Sequence, residues 1–253
     1  MKRTDFLPLV LLVPVLGFVA REAVEARIIT VKSSAAVLQP ETLAPSRAVQ
    51  PTVSAEASNA SPVADLNDVR ERLRRGEPGT YIGEILTQRD SALARWPERT
   101  AQPLRVWIAS GERISGWDPS FANQVREAFD TWTRVGIPMR FTFVVDSTDA
   151  DVHVSWIDYF KESISGKTLW ARDKRWWIVD ANITLALHHR GGDSLDGTAV
   201  KAIALHEVGH LLGLDHTADT TNIMTARVRV RDLSEADRST VRLLYSLPAG
   251  SLK

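Results

Sequence analysis

Three histidines and one glutamate between residues 205 and 216 have the types and the spacing that bind a metal ion beside a base. His206 and His210 are four residues apart, so on a helix they would lie one turn apart on the same face. Two neutral imidazoles in this arrangement can bind one Zn²⁺. Glu207 follows the first histidine and can reach a water molecule on the metal and accept its proton. The segment therefore predicts a helix that carries two zinc ligands and a general base.

A glycine and a further histidine complete the predicted site. Gly213 comes three residues after His210 and can take the left-handed backbone conformation that ends a helix. The chain can then turn back, so that His216 supplies a third nitrogen. Three protein ligands leave one position open for water, which is typical of a catalytic zinc. We therefore predict one catalytic Zn²⁺ held by His206, His210 and His216; the alternative is surface histidines on a helix with an ordinary glycine cap.

The patterning of the remaining sequence predicts one sheet and three helices around this segment. Apolar residues at helical spacing indicate a helix that begins at 118–119 and ends at 136–138. A second helix over 198–212 carries the histidines, and a third begins at Ser234 with Asp237 as its capping-box partner. The fold class is therefore α+β. Alternating apolar residues indicate five strands, at 104–108, 140–145, 151–157, 168–171 and 176–187.

The composition limits the kinds of partner that the protein can have. The chain has 253 residues, with 31 Lys and Arg against 31 Asp and Glu, so it has no net charge to attract nucleic acid or an anionic membrane. It has no cysteine, which excludes disulfides, thiolate metal ligands and cysteine nucleophiles. Nucleic acid is therefore not an expected partner.

The N-terminus has the residue order of a secretory signal peptide. Lys2 and Arg3 precede an apolar run over 6–20, which is shorter than the roughly 20 residues that a spanning helix needs. Residues 1–26 are therefore predicted to be a signal peptide, cleaved before Arg27, that directs export to the cell envelope, the periplasm or the exterior. The alternative is an uncleaved signal-anchor that holds the protein at the membrane.

Changes in composition divide the rest of the chain. Residues 27–80 are predicted to be a low-complexity linker or pro-segment, because Ala, Val, Ser, Thr and Pro dominate most of the stretch. All eight tryptophans lie between Trp96 and Trp177, so the folded core is expected in the later part of the chain. Residues 81–101 are predicted to be a lead-in segment and residues 102–253 the catalytic domain.

The pattern His-Glu-x-x-His-x-x-Gly-x-x-His over 206–216 resembles that of the metzincin metalloproteases. Residues 222–224, which end in Met224, fit the methionine turn of these proteases. Over 102–247 the chain is most similar to the matrixin branch, in its upstream helix and in its final helix. The resemblance implies a zincin/metzincin fold with a twisted mixed sheet, an upstream helix, an active-site helix and a C-terminal helix. It also implies that Met224 supports the zinc site by packing and that Gly213 supports the turn.

The activity that the resemblance implies is peptide-bond hydrolysis by a zinc-dependent endopeptidase, with Glu207 as general base for a metal-activated water. A protein or peptide substrate would lie antiparallel to an edge strand near 166–171. Residues 225–230 would form the wall of the pocket for the residue after the cut. The protein is expected to be a monomer. Two alternatives stay open: a non-catalytic zinc-binding domain on the same fold, and a membrane-anchored processing protease.

The chain departs from the matrixin pattern in two respects. It lacks the pro-segment cysteine that holds matrixin zymogens inactive. The stretch 158–187 contains no histidine, so a second, structural zinc is not expected, and calcium stays open without being predicted. His188 and His189 are interpreted as an exposed loop, and His153 as an ordinary packed or hydrogen-bonded histidine.

Two charged features near the histidines each have two interpretations. Asp215 either orients the ring of His216 or simply lies in the turn. Three arginines in the expected pocket wall either give that pocket positive charge or belong to a solvated loop. They are Arg227, Arg229 and Arg231.

Overall fold

The computed structural model describes Leu73 and residues 76–89, 92–247 and 249–251. The predicted signal peptide or anchor, residues 1–26, lies outside the described residues, as does most of the predicted linker, residues 27–80. Within the described ranges, no helix is both long enough and apolar enough to span a bilayer.

The described residues form one five-stranded sheet, one two-stranded sheet and four α-helices. In chain order the helices are α1 (Ile82–Gln88), α2 (Ser120–Thr133), α3 (Gly197–Leu211) and α4 (Glu235–Ser246). The strands are β1 (Ala92–Leu93), β2 (Arg99–Ile108), β3 (Met139–Val144), β4 (Val152–Ile157), β5 (Gly166–Arg172), β6 (Ile178–Ala186) and β7 (Gly250–Ser251), and a 3₁₀ turn spans Ser147–Asp149.

The large sheet has the strand order β3-β2-β4-β6-β5. The first four strands are parallel to one another, and β5 is antiparallel to β6. The sheet is therefore mixed, and β5 is one of its two edges. The small sheet pairs β1 with β7 in antiparallel orientation. The predicted α+β class and the mixed sheet of about five strands with its three helices are confirmed.

Helix α2 shows why the apolar pattern predicts the helices correctly. Its apolar residues lie on one face, and Phe121, Val125, Phe129 and Trp132 are all buried. That face packs against α3 and β3. Burial of a side chain of this size stabilises the fold by on the order of 2–3 kcal/mol. The amphipathic pattern therefore determines both the formation of the helix and the face that it turns to the core.

Each strand of the large sheet begins one to five residues from its predicted start, and the largest difference is at β2. β2 begins at Arg99 and not at 104, with a register shift against β3 between Arg99 and Leu104. β6 begins at Ile178 and not at 176, because Trp176 has a φ of 68° and cannot lie in a strand. The Asp173 side chain accepts hydrogen bonds from the backbone N–H groups of Arg175 and Trp177, which fixes the β5–β6 turn.

The lead-in segment packs into the same core as the sheet and helices. In α1, Ile82 and Ile85 are fully buried. Trp96 is also fully buried, and its indole N–H donates to the carbonyl of Leu211 at 3.0 Å. This part of the chain therefore contacts the end of the helix that carries the histidines.

Candidate metal centre

Helix α3 is held in place at its start and along its length. The Asp196 side chain caps its N-terminus by accepting from the backbone N–H of Ala199 at 2.7 Å. Within the helix, the Leu205 carbonyl accepts from the indole N–H of Trp132 at 2.9 Å. Both partners of that bond are buried. The helix is therefore a rigid support for His206, Glu207 and His210, which lie on one of its faces.

Gly213 ends α3 and reverses the chain, as the sequence predicts. Its φ is 99°, and its N–H bonds to the carbonyl of His210 while the next N–H, of Leu214, bonds to the carbonyl of Gly209. This is the Schellman arrangement of a helix end. A side chain at Gly213 would also overlap the carbonyl oxygen of Ala94. The turn that leads to His216 therefore needs glycine for two separate reasons.

We expect Gly213→Ala to reduce the free energy of unfolding by more than Gly192→Ala does. Gly192 has a φ of 92°, but no heavy atom lies within 4 Å of the place that a Cβ atom would occupy, so alanine there adds only backbone strain of about 1–2 kcal/mol. Alanine at Gly213 adds the same strain and the overlap with Ala94. Chemical denaturation of the two variants measures the difference, and equal losses would contradict the close approach at Gly213.

The structure brings the three predicted ligands together. The Nε2 atoms of His206 and His210 are 3.1 Å apart, those of His210 and His216 are 3.2 Å apart, and those of His206 and His216 are 3.3 Å apart. Two nitrogens that bind one tetrahedral zinc at about 2.0–2.1 Å would be about 3.3–3.4 Å apart. The three separations therefore fit a single shared ion.

The hydrogen bonds of the Nδ1 atoms show which nitrogen of each ring faces the position that a shared ion would occupy. The Nδ1 atom of His206 is 2.7 Å from the carbonyl oxygen of Ile223, and the Nδ1 atom of His210 is 3.1 Å from the carbonyl oxygen of Leu214. A carbonyl only accepts, so both Nδ1 atoms carry the proton and both Nε2 atoms present lone pairs. Two bare lone pairs so close to each other repel, and a cation between them removes the repulsion. The residues therefore fit a zinc ion.

Burial keeps two of these imidazoles neutral. Loss of solvation lowers the pKa of His206 to about 4 and that of His210 to about 3. A neutral imidazole is the form that binds metals. Both side chains are therefore available as ligands well below neutral pH.

Glu207 lies beside the histidines and is only 4% exposed. The hydroxyl of Thr168, on β5, donates to its Oε2 atom at 2.7 Å. A side chain at Gly166 would collide with the Glu207 carboxyl group, so the edge strand can approach this closely only with glycine there. Burial raises the pKa of Glu207 to about 7, and the Thr168 hydrogen bond opposes that rise. A carboxyl with a pKa in this range can both accept and return a proton near neutral pH.

Met224 is fully buried. Its sulfur occupies the space that a side chain at Gly209, between the two helical ligands, would need. Its backbone carbonyl accepts from the N–H of Thr217 at 3.0 Å. The turn that contains Met224 is thus joined to the segment after His216, and the Met224 side chain packs against α3 at Gly209.

Arg89 lies just after α1, and no pattern in the sequence indicated a role for it. Its guanidinium group donates to Asp215 Oδ2 at 2.9 Å, to the Gly213 carbonyl at 2.8 Å and to the Leu214 carbonyl at 3.0 Å. Asp215 also accepts from the backbone N–H of His216 at 2.9 Å. Of the two interpretations of Asp215, the structure therefore favours a place in the turn, where the carboxylate is bound by Arg89.

Two more side chains of α1 bind the same turn. The amide of Gln88 donates to the carbonyl of His216 at 2.8 Å. Glu84 accepts from the hydroxyl of Thr217 at 3.0 Å and from the backbone N–H of Ala218 at 2.8 Å. We call Glu84, Gln88 and Arg89 the α1 clamp. No local pattern could have found it, because its members lie more than a hundred residues before the turn.

The remaining histidines do not join the cluster. The Nε2 atom of His153 is 2.9 Å from the carbonyl oxygen of Ser147, as expected for an ordinary hydrogen-bonded histidine. His188 pairs with Asp158 at 2.7 Å and its side chain is only 15% exposed, so the predicted exposed loop is wrong for this residue, while His189 is exposed as predicted. Among the described residues, the metal-ligating side chains that converge are His206, His210 and His216.

The histidines open into a cleft with two walls. One wall is the edge strand β5 with the residues just before it, and α3 forms the floor. The other wall is segment 226–231. Both segments are the ones that the resemblance assigns to the substrate.

The fold and this site together define the metzincin class: two histidines one helical turn apart, a glycine turn to a third histidine, and a buried methionine below. The family model for matrixins matches residues 114–246, which is just over half of the chain. The chain belongs to the matrixin family, and the predicted family and its zincin fold are confirmed.

One curated relative is described as "Probable matrix metalloproteinase 095L", from Invertebrate iridescent virus 3. It is 43% identical over 63 residues, which is 24% of this chain and 17% of the relative. The match therefore spans about a sixth of the relative's length. The α1 clamp lies outside the residues matched by the family model.

Proposed function

We propose that the protein is a zinc-dependent endopeptidase. The observation that carries the proposal is the convergence of three Nε2 atoms within 3.3 Å of one another, beside a carboxyl group and at the floor of a cleft. His206, His210 and His216 would hold the ion. When bound, zinc polarises a carbonyl group and lowers the pKa of a coordinated water to about 7.

Glu207 would act as the general base and then as the general acid. Its Oε2 atom is held by Thr168, and its Oε1 atom makes no hydrogen bond with the described residues. The free oxygen can accept a proton from the attacking water and deliver it to the leaving amine. Its raised pKa suits both steps, because the same group must bind and release the proton in each cycle.

The substrate would bind as an extended peptide along β5. This strand is an edge of the sheet, so one row of its backbone N–H and C=O groups is free to pair with another strand. Thr168 and Gly166 place the same strand against Glu207. A peptide paired with β5 would therefore lie across the general base and the three histidines.

The test of this proposal is cleavage of a diverse peptide library by the full chain loaded with zinc. We expect internal cuts, mapped by mass spectrometry, that stop when a chelator removes the metal and return when zinc is added. A protein that binds zinc and cuts no peptide would support the alternative, a non-catalytic zinc-binding domain.

The proposal includes export and a monomeric state. Residues 1–26 would direct the chain out of the cytoplasm and be removed, and the membrane-anchored form is the alternative. The mass of the mature protein, measured in the cell fraction that contains it, distinguishes the two. A mature N-terminus at Arg27 is expected for the cleaved form, and retention of the apolar run 6–20 for the anchored form.

A further inference from the structure

The charges that line the cleft are unbalanced. Five basic and two acidic side chains line it: Arg89, Lys167, Arg227, Arg229 and Arg231 against Glu207 and Asp215. The whole chain has equal numbers of the two kinds. The excess of positive charge is therefore a local property of the cleft.

The two acidic groups do not neutralise this excess. Asp215 is already paired with Arg89 at 2.9 Å. Glu207 is buried at the floor of the cleft, and its carboxyl group is bound by Thr168. The three arginines of segment 226–231 make no ion pair or hydrogen bond with the residues that the structure describes. Within the part of the chain that the structure describes, their charges are available to a ligand.

The alternation of residues in this segment places the arginines on the solvent side. Val228 and Val230 are partly buried and pack against the core, whereas Arg227, Arg229 and Arg231 are exposed. Both the valines and the arginines line the cleft, but only the arginine side chains are exposed. The three exposed arginines therefore form a row of positive charges along one wall of the cleft.

We propose that this row selects acidic peptides, so that the preferred substrates carry Asp or Glu close to the bond that is cut. The inference rests on the proposed function, since it concerns the peptide that the endopeptidase would bind. A carboxylate in an open cleft pairs well with guanidinium groups that have no other partner. The pairs are exposed to solvent, so each one contributes modestly and depends on ionic strength.

The experiment compares peptides that differ only in Glu or Gln at the positions flanking a mapped cleavage site. The zinc-loaded full chain is expected to cut the Glu peptides with a kcat/KM about fivefold higher, which is what one good solvent-exposed ion pair contributes. Raising the salt concentration from about 50 mM to about 500 mM should reduce this preference. Equal cleavage of the Glu and Gln peptides, or a preference for Gln, would overturn the inference while leaving the proposed function intact.

A pair of double variants separates local charge from total charge. Arg227→Gln with Arg229→Gln should abolish the preference for Glu. Arg113→Gln with Arg140→Gln removes the same charge from exposed positions outside the cleft, and Arg140 lies on β3 at the opposite edge of the sheet. This control should keep the preference, and its loss in both double variants would overturn the role of the arginine row.

Binding measurements keep the inference testable if no peptide is cut. Fluorescence anisotropy with labelled Glu and Gln peptides is measured on zinc-loaded Glu207→Ala, which should bind without hydrolysis. Tighter binding of the Glu peptide supports the acidic preference even if the proposed hydrolysis fails. Equal binding of the two peptides overturns the preference whether or not the protein proves to be a protease.

Discussion

Glu207→Ala is expected to keep zinc bound and to reduce peptide hydrolysis by about 10²- to 10⁴-fold, the usual contribution of a general acid–base group. The two imidazoles on α3 do not depend on this carboxyl group for their positions. The other ring nitrogens of His206 and His210 are held by the backbone carbonyls of Ile223 and Leu214. The variant therefore removes the proposed proton acceptor and keeps all three histidine ligands. Zinc content and kcat/KM of the purified variant measure the two effects separately.

Two further variants sharpen this result. Glu207→Gln retains the size and the hydrogen bond acceptor but cannot accept a proton, so it should be as inactive as the alanine variant. Glu112→Ala changes an exposed glutamate outside the cleft and should keep full activity. Full activity in either Glu207 variant would contradict the assignment of the base.

Arg89→Ala is expected to weaken zinc binding by about 10- to 100-fold, the typical effect of losing a group that orients a metal ligand from outside the metal site. The guanidinium group bonds to two carbonyls and one carboxylate within residues 213–215, and no other single side chain could replace all three contacts. Its loss frees the turn that positions His216. The Leu214 carbonyl that holds Nδ1 of His210 belongs to the same turn. His206 would keep its contact with Ile223, and both histidines would stay on α3, so residual affinity is expected.

Competition with a chromogenic chelator measures the zinc affinity of this variant. The matched control is Arg105→Ala, which breaks an arginine–aspartate pair with Asp151 on the surface, where Arg105 is about half exposed. A solvent-exposed pair of this kind contributes little to stability and should not alter zinc binding. If Arg89→Ala and Arg105→Ala bind zinc equally well, the α1 clamp does not position the third ligand.

The sequence was sufficient to predict the parts of the site that are local in the chain. The relative directions of four residues follow from helical geometry within a short stretch of the chain, so their spacing alone predicts them. These residues are His206, Glu207, His210 and Gly213. The same holds for α4, where the predicted capping box between Ser234 and Asp237 is present.

The parts that sequence patterns missed depend on contacts between distant segments. Arg89 and Asp215 are separated by 126 residues, so their pairing follows only from the tertiary fold. The buried carboxylate of Asp237 bonds not only to its own cap but also to Tyr81 in the lead-in segment and to the backbone N–H of Ile223. The lead-in segment thus contacts the surroundings of the metal site in two places, through the α1 clamp and through the hydrogen bond of Tyr81 with Asp237. No periodicity in residues 81–101 indicates either contact.

The most direct test of the metal site is X-ray absorption at the zinc edge on the full chain loaded with zinc. We expect one zinc per chain, bound by three imidazole nitrogens at about 2.0–2.1 Å together with an oxygen from solvent. His216→Ala should reduce the number of imidazole ligands to two. Fewer than three imidazoles in the unaltered protein, or a fourth protein ligand in place of solvent, would contradict a catalytic zinc held by His206, His210 and His216.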